Sequence, residues 1–249
     1  MKVEIWSDVV CPWCYIGKRR FESALARFKH RDQVEVIWRS FELDPTSPRQ
    51  VEGTLDNMLA KKLGVSAAQA AAMNAQVTDL AAQEGLEYRL DQAKPGNTFD
   101  AHRLIHLAAA HNLQGAAKER LLHAYFSGGL AIGDPETLVK LGTEIGLDAE
   151  AVRAMLVSDA YAEEVRADIE RARSFCIRGV PFVAIDETYG VSGAQPADTF
   201  LAALEQAWAA SHPLVTLGQA EGVGVCEGDN CEIPVSGSPT VPDKGAVKA

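Results

Sequence analysis

The sequence predicts an α/β fold: a β-α-β unit and a β-β-α unit, separated by a large all-helical insert and followed by an irregular tail. Three observations carry this. Lys2 to Asp8 alternates in the manner of a strand, with Val3, Ile5 and Ser7 on one side and Lys2, Glu4 and Trp6 on the other. Cys14, Phe21, Leu25 and Phe28 then fall on one helical face, and a second strand follows within Gln33 to Leu43 through Val34, Val36 and Trp38. Strand signals return only at Phe182-Val183-Ala184-Ile185 and Tyr189-Gly190-Val191-Ser192.

The first unit closes most readily as a parallel pair with a right-handed crossover. Asp44-Pro45-Thr46-Ser47-Pro48 breaks the pattern, and an Ala- and Leu-rich stretch begins near Thr54. Ser66 precedes a long helix carrying Met73, Val77 and Leu80, and Thr98 is placed to cap a helix running to His111. Shorter helices are expected over 115–125, 135–145 and 148–156, and a long one over 159–175. Asp186-Glu187-Thr188 reads as a hairpin turn, and Pro196 suits the first turn of a last helix ending near Ala210. Beyond His212-Pro213 the pattern decays into Gly, Pro and Ser. The expected division is 1–45 with 178–211 as the α/β domain, 46–177 as the inserted helical domain and 212–249 as the tail.

Composition narrows the function classes. The 249 residues carry 34 acidic and 24 basic side chains, a net charge of -10, which disfavours nucleic acid and anionic membranes as partners. Lys18-Arg19-Arg20 is the one dense basic cluster and reads as a solvated helix face. Glu4 and Asp8 interrupt any leader-like apolar run, and no stretch reaches the ~18 apolar residues of a membrane span, so a cytoplasmic location is expected. Five cysteines are too few for a disulfide scaffold at this length. In a reducing compartment, paired cysteines read as redox-active or metal-binding.

Cys11-Pro12-Trp13-Cys14 lies at the strand-to-helix junction. A thiol attacks a disulfide as its thiolate, and a helix N-terminus favours the anion. Pro12 fits the first turn, where its missing N–H has no partner to lose. Cys11 is therefore expected to attack, with its pKa lowered, and Cys14, one turn inside, to resolve the mixed disulfide. Zinc would need a second Cys or His pair at suitable spacing, but the next cysteine is Cys176 and the other close pair, Cys226 and Cys231, is far away. Neither a metal nor a cofactor is expected. Gly179-Val180-Pro181-Phe182-Val183 starts a strand with a proline, whose default from the residues alone is trans.

Four segments together resemble the thioredoxin superfamily, and within it the DsbA-like FrnE branch of thiol oxidoreductases. They are Ser7–Gly17, Asn97–Leu104, Gly179–Phe182 and Val191–Pro196, in family order over roughly the first 210 residues. The resemblance implies a thioredoxin fold with the helical domain inserted between its halves. It also implies a cis Val180–Pro181 bond facing the cysteines, with Val180 offering its backbone to an extended substrate, and His102 near the domain interface. Trp13, between the cysteines, is expected to be exposed and to contact substrate; Trp6 and Trp38 are expected in the core. Thiol- or disulfide-containing polypeptides are the expected partners, with glutathione a further candidate.

Two rivals stand beside the disulfide oxidoreductase or isomerase reading. One is a glutathione-dependent isomerase or transferase acting on a small aromatic compound; related enzymes usually carry Ser where this chain has Cys11. The other is a peptide-binding chaperone. Cys176 reads as a buried small hydrophobe. His102 and His106 share a helical face but read as structural or site-lining rather than metal ligands. Cys226-Glu227-Gly228-Asp229-Asn230-Cys231 reads as a local staple around a turn or two reduced thiols, as a second redox pair exchanging with the first, or as a metal site assisted by Glu227, Asp229 and Glu232.

Overall fold

The computed structural model describes residues 1–213 and the backbone of 226–227 and 230–231. Strand β1 (Lys2–Ser7) leads into helix α1 (Pro12–Arg27) and then β2 (Glu35–Ser40). The two strands pair in parallel, Val3 beside Val36 and Ile5 beside Trp38. After the insert, β3 (Phe182–Ile185) pairs antiparallel with β1, and β4 (Tyr189–Ser192) with β3. The sheet order is β2-β1-β3-β4, so β1 is internal. Asp186 and Glu187 both take positive φ, 46° and 56°, in the expected hairpin turn.

The second strand is shorter than its pattern suggests. Residues 31–33 form a 3-10 turn. Beyond Ser40 the chain leaves the sheet, and the Leu43 N–H donates to the Asp8 carboxylate at 2.8 Å instead. Sheet pairing there is exchanged for a contact beneath the cysteines.

The insert comprises α2 (Leu55–Leu63), α3 (Ala67–Gln83), α4 (Phe99–Ala110), α5 (Gln114–Phe126), α6 (Pro135–Glu144), α7 (Ala149–Leu156) and α8 (Ala162–Ser174); α9 (Ala197–Ser211) follows the hairpin. Side-chain caps fix several starts. Ser66 and Gln69 form a capping box on α3, and the Asp134 and Asp148 carboxylates accept from Thr137 and Ala151 N–H. Thr98 is the residue before α4, yet its hydroxyl makes no cap bond. Asn97 Oδ1 accepts from the Phe99 N–H instead. Helix α8 starts three residues later than the sequence suggests because Tyr161 is left-handed, φ 62°.

Val3 to Ser7 are all buried, so β1 is covered on both faces. Helices α1 and α9 pack together along the α/β unit, with Phe21 edge-on to Phe200 at 5.8 Å. On another side, α8 reaches the sheet: Trp6 Nε1 donates to the Asp168 carbonyl at 2.9 Å, and Asp168 Oδ2 accepts from Ser40 N–H at 2.8 Å. Glu4, buried in the same region, accepts from Arg39 and Arg171. Trp6 and Trp38 are core residues, as expected. Cys176 is not: it is exposed, at φ 56° where the chain turns after α8, which corrects the expectation of a buried thiol.

Residues Met1–Ser211 form one compact unit and His212–Ala249 a second. In the second, Cys226 pairs backbone-to-backbone opposite Cys231, and Glu227 opposite Asn230. The reading of Cys226 and Cys231 as a redox pair concerns side chains outside the described residues.

Candidate active site

Cys11 is the N-cap of α1 and Pro12 its first residue. The Cys11 side chain caps nothing, and no carboxylate occupies the first turn. The positive end of the helix is thus left for the sulfurs. Both thiols are free and buried, 3% exposed for Cys11 and 1% for Cys14, while Trp13 between them is 43% exposed. Across from them the Val180–Pro181 bond is cis. The Val180 carbonyl accepts from Cys11 Sγ at 3.5 Å.

Charge within the pair is shared between the two sulfurs. The hydrogen bond to Cys14, together with burial, pushes the Cys11 thiol well up. Burial opposes ionisation of Cys14 too, but the Cys11 hydrogen bond and the Lys118 charge outweigh it and bring Cys14 down. The Ser7 hydroxyl, buried without a full hydrogen bond, also faces Cys14. The two sulfurs titrate as one unit: the first proton leaves readily, the second is held.

Lys118 has no counterpart in the sequence reading. It is fully buried on α5, donates to the Ser7 carbonyl at 2.9 Å and lies 5.7 Å from the centroid of the Trp38 ring. Burial pulls its ammonium down to about 8, and the charges of Cys14, Asp8 and Cys11 hold it up against that. Asp8 is equally buried. Burial would raise its carboxyl, but His102, the Leu43 N–H and Lys118 hold it below its ordinary value. His102, which the resemblance implies lies near the interface, stands 3.3 Å from Asp8 through Nε2. Burial lowers its pKa, so the neutral ring donates Nε2–H to the carboxylate. Its Nδ1 is then the bare acceptor, matching its lack of a partner. Glu42, near Asp8, is raised by burial and by that neighbour to about 7.

The other motif residues hold this site in place. Gly193, at φ 80°, donates its N–H to the Pro181 carbonyl at 2.9 Å, and Arg20 reaches the Ala194 carbonyl at 2.7 Å. Helix α1 approaches the proline at Gly17, where a Cβ would come within 2.9 Å of Pro181 Cγ. Arg103 donates to the carbonyls of Met155, Ser158 and Ala160, fastening the turn before α8. Lys18-Arg19-Arg20 is not a solvated face. Lys18 is buried, and Lys18 and Arg19 both pair with Glu119 of α5, joining α1 to the insert. Among the described residues no group of three His, Cys, Asp or Glu side chains is arranged to hold a metal.

A thioredoxin fold with a helical insert, a Cys-Pro-Trp-Cys turn at its first helix and a cis-proline loop against it define a DsbA-like oxidoreductase scaffold. The sequence matches the DSBA-like thioredoxin domain over residues 2–205, and the chain belongs to that family. It is 30% identical over 200 residues to the uncharacterized protein YwbO of Bacillus subtilis, covering 80% of this chain and 92% of that one. A probable DsbA oxidoreductase from Streptomyces coelicolor superposes with TM-score 0.82 at 47% identity, over 94% of this chain and 99% of that one. The cytosolic disulfide reductase DsbM of Pseudomonas aeruginosa shares the fold at TM-score 0.57 and 17% identity, over 83% of this chain and 98% of that one.

Proposed function

We propose that the protein is a thiol–disulfide oxidoreductase acting on polypeptides through Cys11 and Cys14. The observation that carries this reading is a pair of free thiols at a helix N-terminus, with a buried ammonium beside one of them and a backbone carbonyl beside the other. In the reducing direction Cys11 attacks a substrate disulfide as its thiolate, the pair's remaining proton resting on Cys14. One substrate sulfur bonds to Cys11, and the other leaves as a thiolate that takes up the proton Cys14 gives up. Cys14, deprotonated with Lys118 beside it, attacks Cys11 Sγ. The Cys11–Cys14 disulfide forms and the second substrate thiol departs. Two electrons pass to the substrate; the reverse sequence oxidises a substrate dithiol.

Trp13 and Val180–Pro181 are the substrate-facing groups in this reading, and His102 acts through Asp8. Cys226 and Cys231 are proposed as a second pair that exchanges with the first, and glutathione as a small-thiol partner that resets the dithiol. Dithiothreitol-dependent insulin reduction tests the main reading. Cys11→Ser is expected to lose at least about a hundredfold in rate, since the attacking sulfur is gone. Retained reduction in that variant would overturn it. Retained suppression of aggregation, with no wild-type reduction, would favour a chaperone.

A further inference from the structure

Glu119 of α5 meets α1 just after the cysteine turn. Its Oε1 accepts from the Tyr15 hydroxyl at 2.6 Å and from Arg19, and its Oε2 accepts from Lys18 at 2.5 Å and from Arg19 at 3.0 Å. Residues 15, 18 and 19 share one face of α1, and Tyr15 follows Cys14 directly. The residue before Glu119 is Lys118, whose charge favours the Cys14 thiolate. We propose that Glu119 is a positioning residue for the dithiol: by clamping α1 to α5 it holds the Cys14 sulfur against the Lys118 ammonium, and so sets how readily the pair ionises and is reduced. The inference rests on Cys11 and Cys14 being the exchanging pair.

Two anchors act on different elements. Gln114 seats α5 on the sheet: its side-chain amide accepts from the Trp38 N–H and donates to the Trp38 carbonyl, both at 3.0 Å. One turn on, Lys118 lies on the same face and donates to the Ser7 carbonyl at the end of β1. These bonds place the ammonium relative to the sheet. Cys14 belongs to α1, and among the described residues every hydrogen bond from an α5 side chain to α1 is made by Glu119. The separation matters because water screens neither partner: Lys118 is fully buried and Cys14 nearly so. Burial raises the Glu119 carboxyl, but the bonds from Arg19, Lys18 and Tyr15 bring it down to about 2, so the clamp stays charged while the thiols titrate. Charge and position then act with opposite sign. Removing the carboxylate leaves Lys18 and Arg19 less compensated, which by charge alone eases thiolate formation. Loosening the clamp draws Cys14 away from Lys118, which hinders it.

The test uses the full-length protein with Glu119→Gln and, separately, Tyr15→Phe, which removes one bond of the clamp and no charge. Near-UV thiolate absorbance, less that of the Cys11→Ser, Cys14→Ser double variant, gives the pH midpoint for the first thiolate. Glu119→Gln is expected to raise it by at least about half a unit, and Tyr15→Phe by less. In glutathione buffer above both midpoints, Glu119→Gln is expected to shift the equilibrium at least about threefold toward the protein disulfide, because its thiolate is less stabilised. In a Lys118→Met background Glu119→Gln is expected to produce no rise, since no ammonium remains to be positioned. A midpoint that falls or stays unchanged in Glu119→Gln, or a rise that persists without Lys118, would overturn the proposal. If Glu119→Gln does not fold, Tyr15→Phe decides: a raised midpoint supports the clamp and an unmoved one overturns it. Failure of the wild type to exchange with any disulfide would instead overturn the exchange reading, on which the midpoint does not depend.

Discussion

Lys118 favours ionisation of the dithiol. It is a cation beside Cys14 in a place where water cannot screen it. Lys118→Met keeps the volume and removes the charge. The pH midpoint for forming the first thiolate, read from near-UV thiolate absorbance, is expected to rise by about one unit. Stability is expected to move the other way. The folded state depresses this lysine to about 8, so below that pH it holds an ammonium that burial disfavours, and stability rises as pH climbs from there toward the ordinary lysine range. Removing the charge removes that penalty, so the melting temperature at pH 7 should hold or increase. An unmoved thiolate midpoint would show that Lys118 is only packing. The cysteines were legible because their chemistry is local, two sulfurs and a proline in four residues. Lys118 was not: it reaches the site from a helix more than a hundred residues away, and inside its own helix it looks like any surface lysine.

The helices were largely legible because their ends are written in side chains: Ser66 with Gln69, Asp134 before Pro135, Asp148 before α7. Ends set by backbone conformation were not, as Tyr161 shows for α8. Contacts between elements leave fainter traces still, and Gly17 is one. On α1 it looks like a helix-weakening residue, yet its bare Cα lets the helix meet the cis-proline loop. Gly17→Val is expected to cost about 1–3 kcal/mol in chemical denaturation and to slow disulfide exchange. Gly115, in the first turn of α5, faces nothing within 4 Å. Gly115→Ala is expected to leave exchange unchanged and to raise stability by a few tenths of a kcal/mol, about what the helix gains. Equal effects of the two changes would refute a positioning role for Gly17.

Across the whole molecule, the insert is bound to the sheet through buried charge. Glu4, in the middle of β1 and 1% exposed, joins Arg39 of β2 to Arg171 of α8. Alternation in β1 gave no sign of this, because Glu4 alternates with Val3 and Ile5 as a solvent-facing residue would, and only the helix that covers it buries it. Burial raises the Glu4 carboxyl, but its hydrogen bonds to Arg171 and Arg39 bring it down to about 2. A depressed carboxylate contributes stability that is complete above the unfolded pKa, about 4.3, and lost as pH falls toward 2. The wild type should therefore lose stability steeply across that window. Glu4→Gln should be weaker at pH 7 and flatter in acid; an unchanged acid limb in the variant would contradict the assignment.

Cys11 and Cys14 are proposed to act as one catalytic pair, with Cys11 meeting the substrate. The most direct measurement is the fate of Cys14→Ser, reduced and then mixed with an insulin or peptide disulfide. Peptide mapping by mass spectrometry under non-reducing conditions locates any adduct. A stable mixed disulfide on Cys11 is expected, persisting because the resolving thiol is gone, and none under the same conditions with Cys11→Ser. An adduct confined to the exposed Cys176, or equal trapping when Cys11 is replaced, would contradict it.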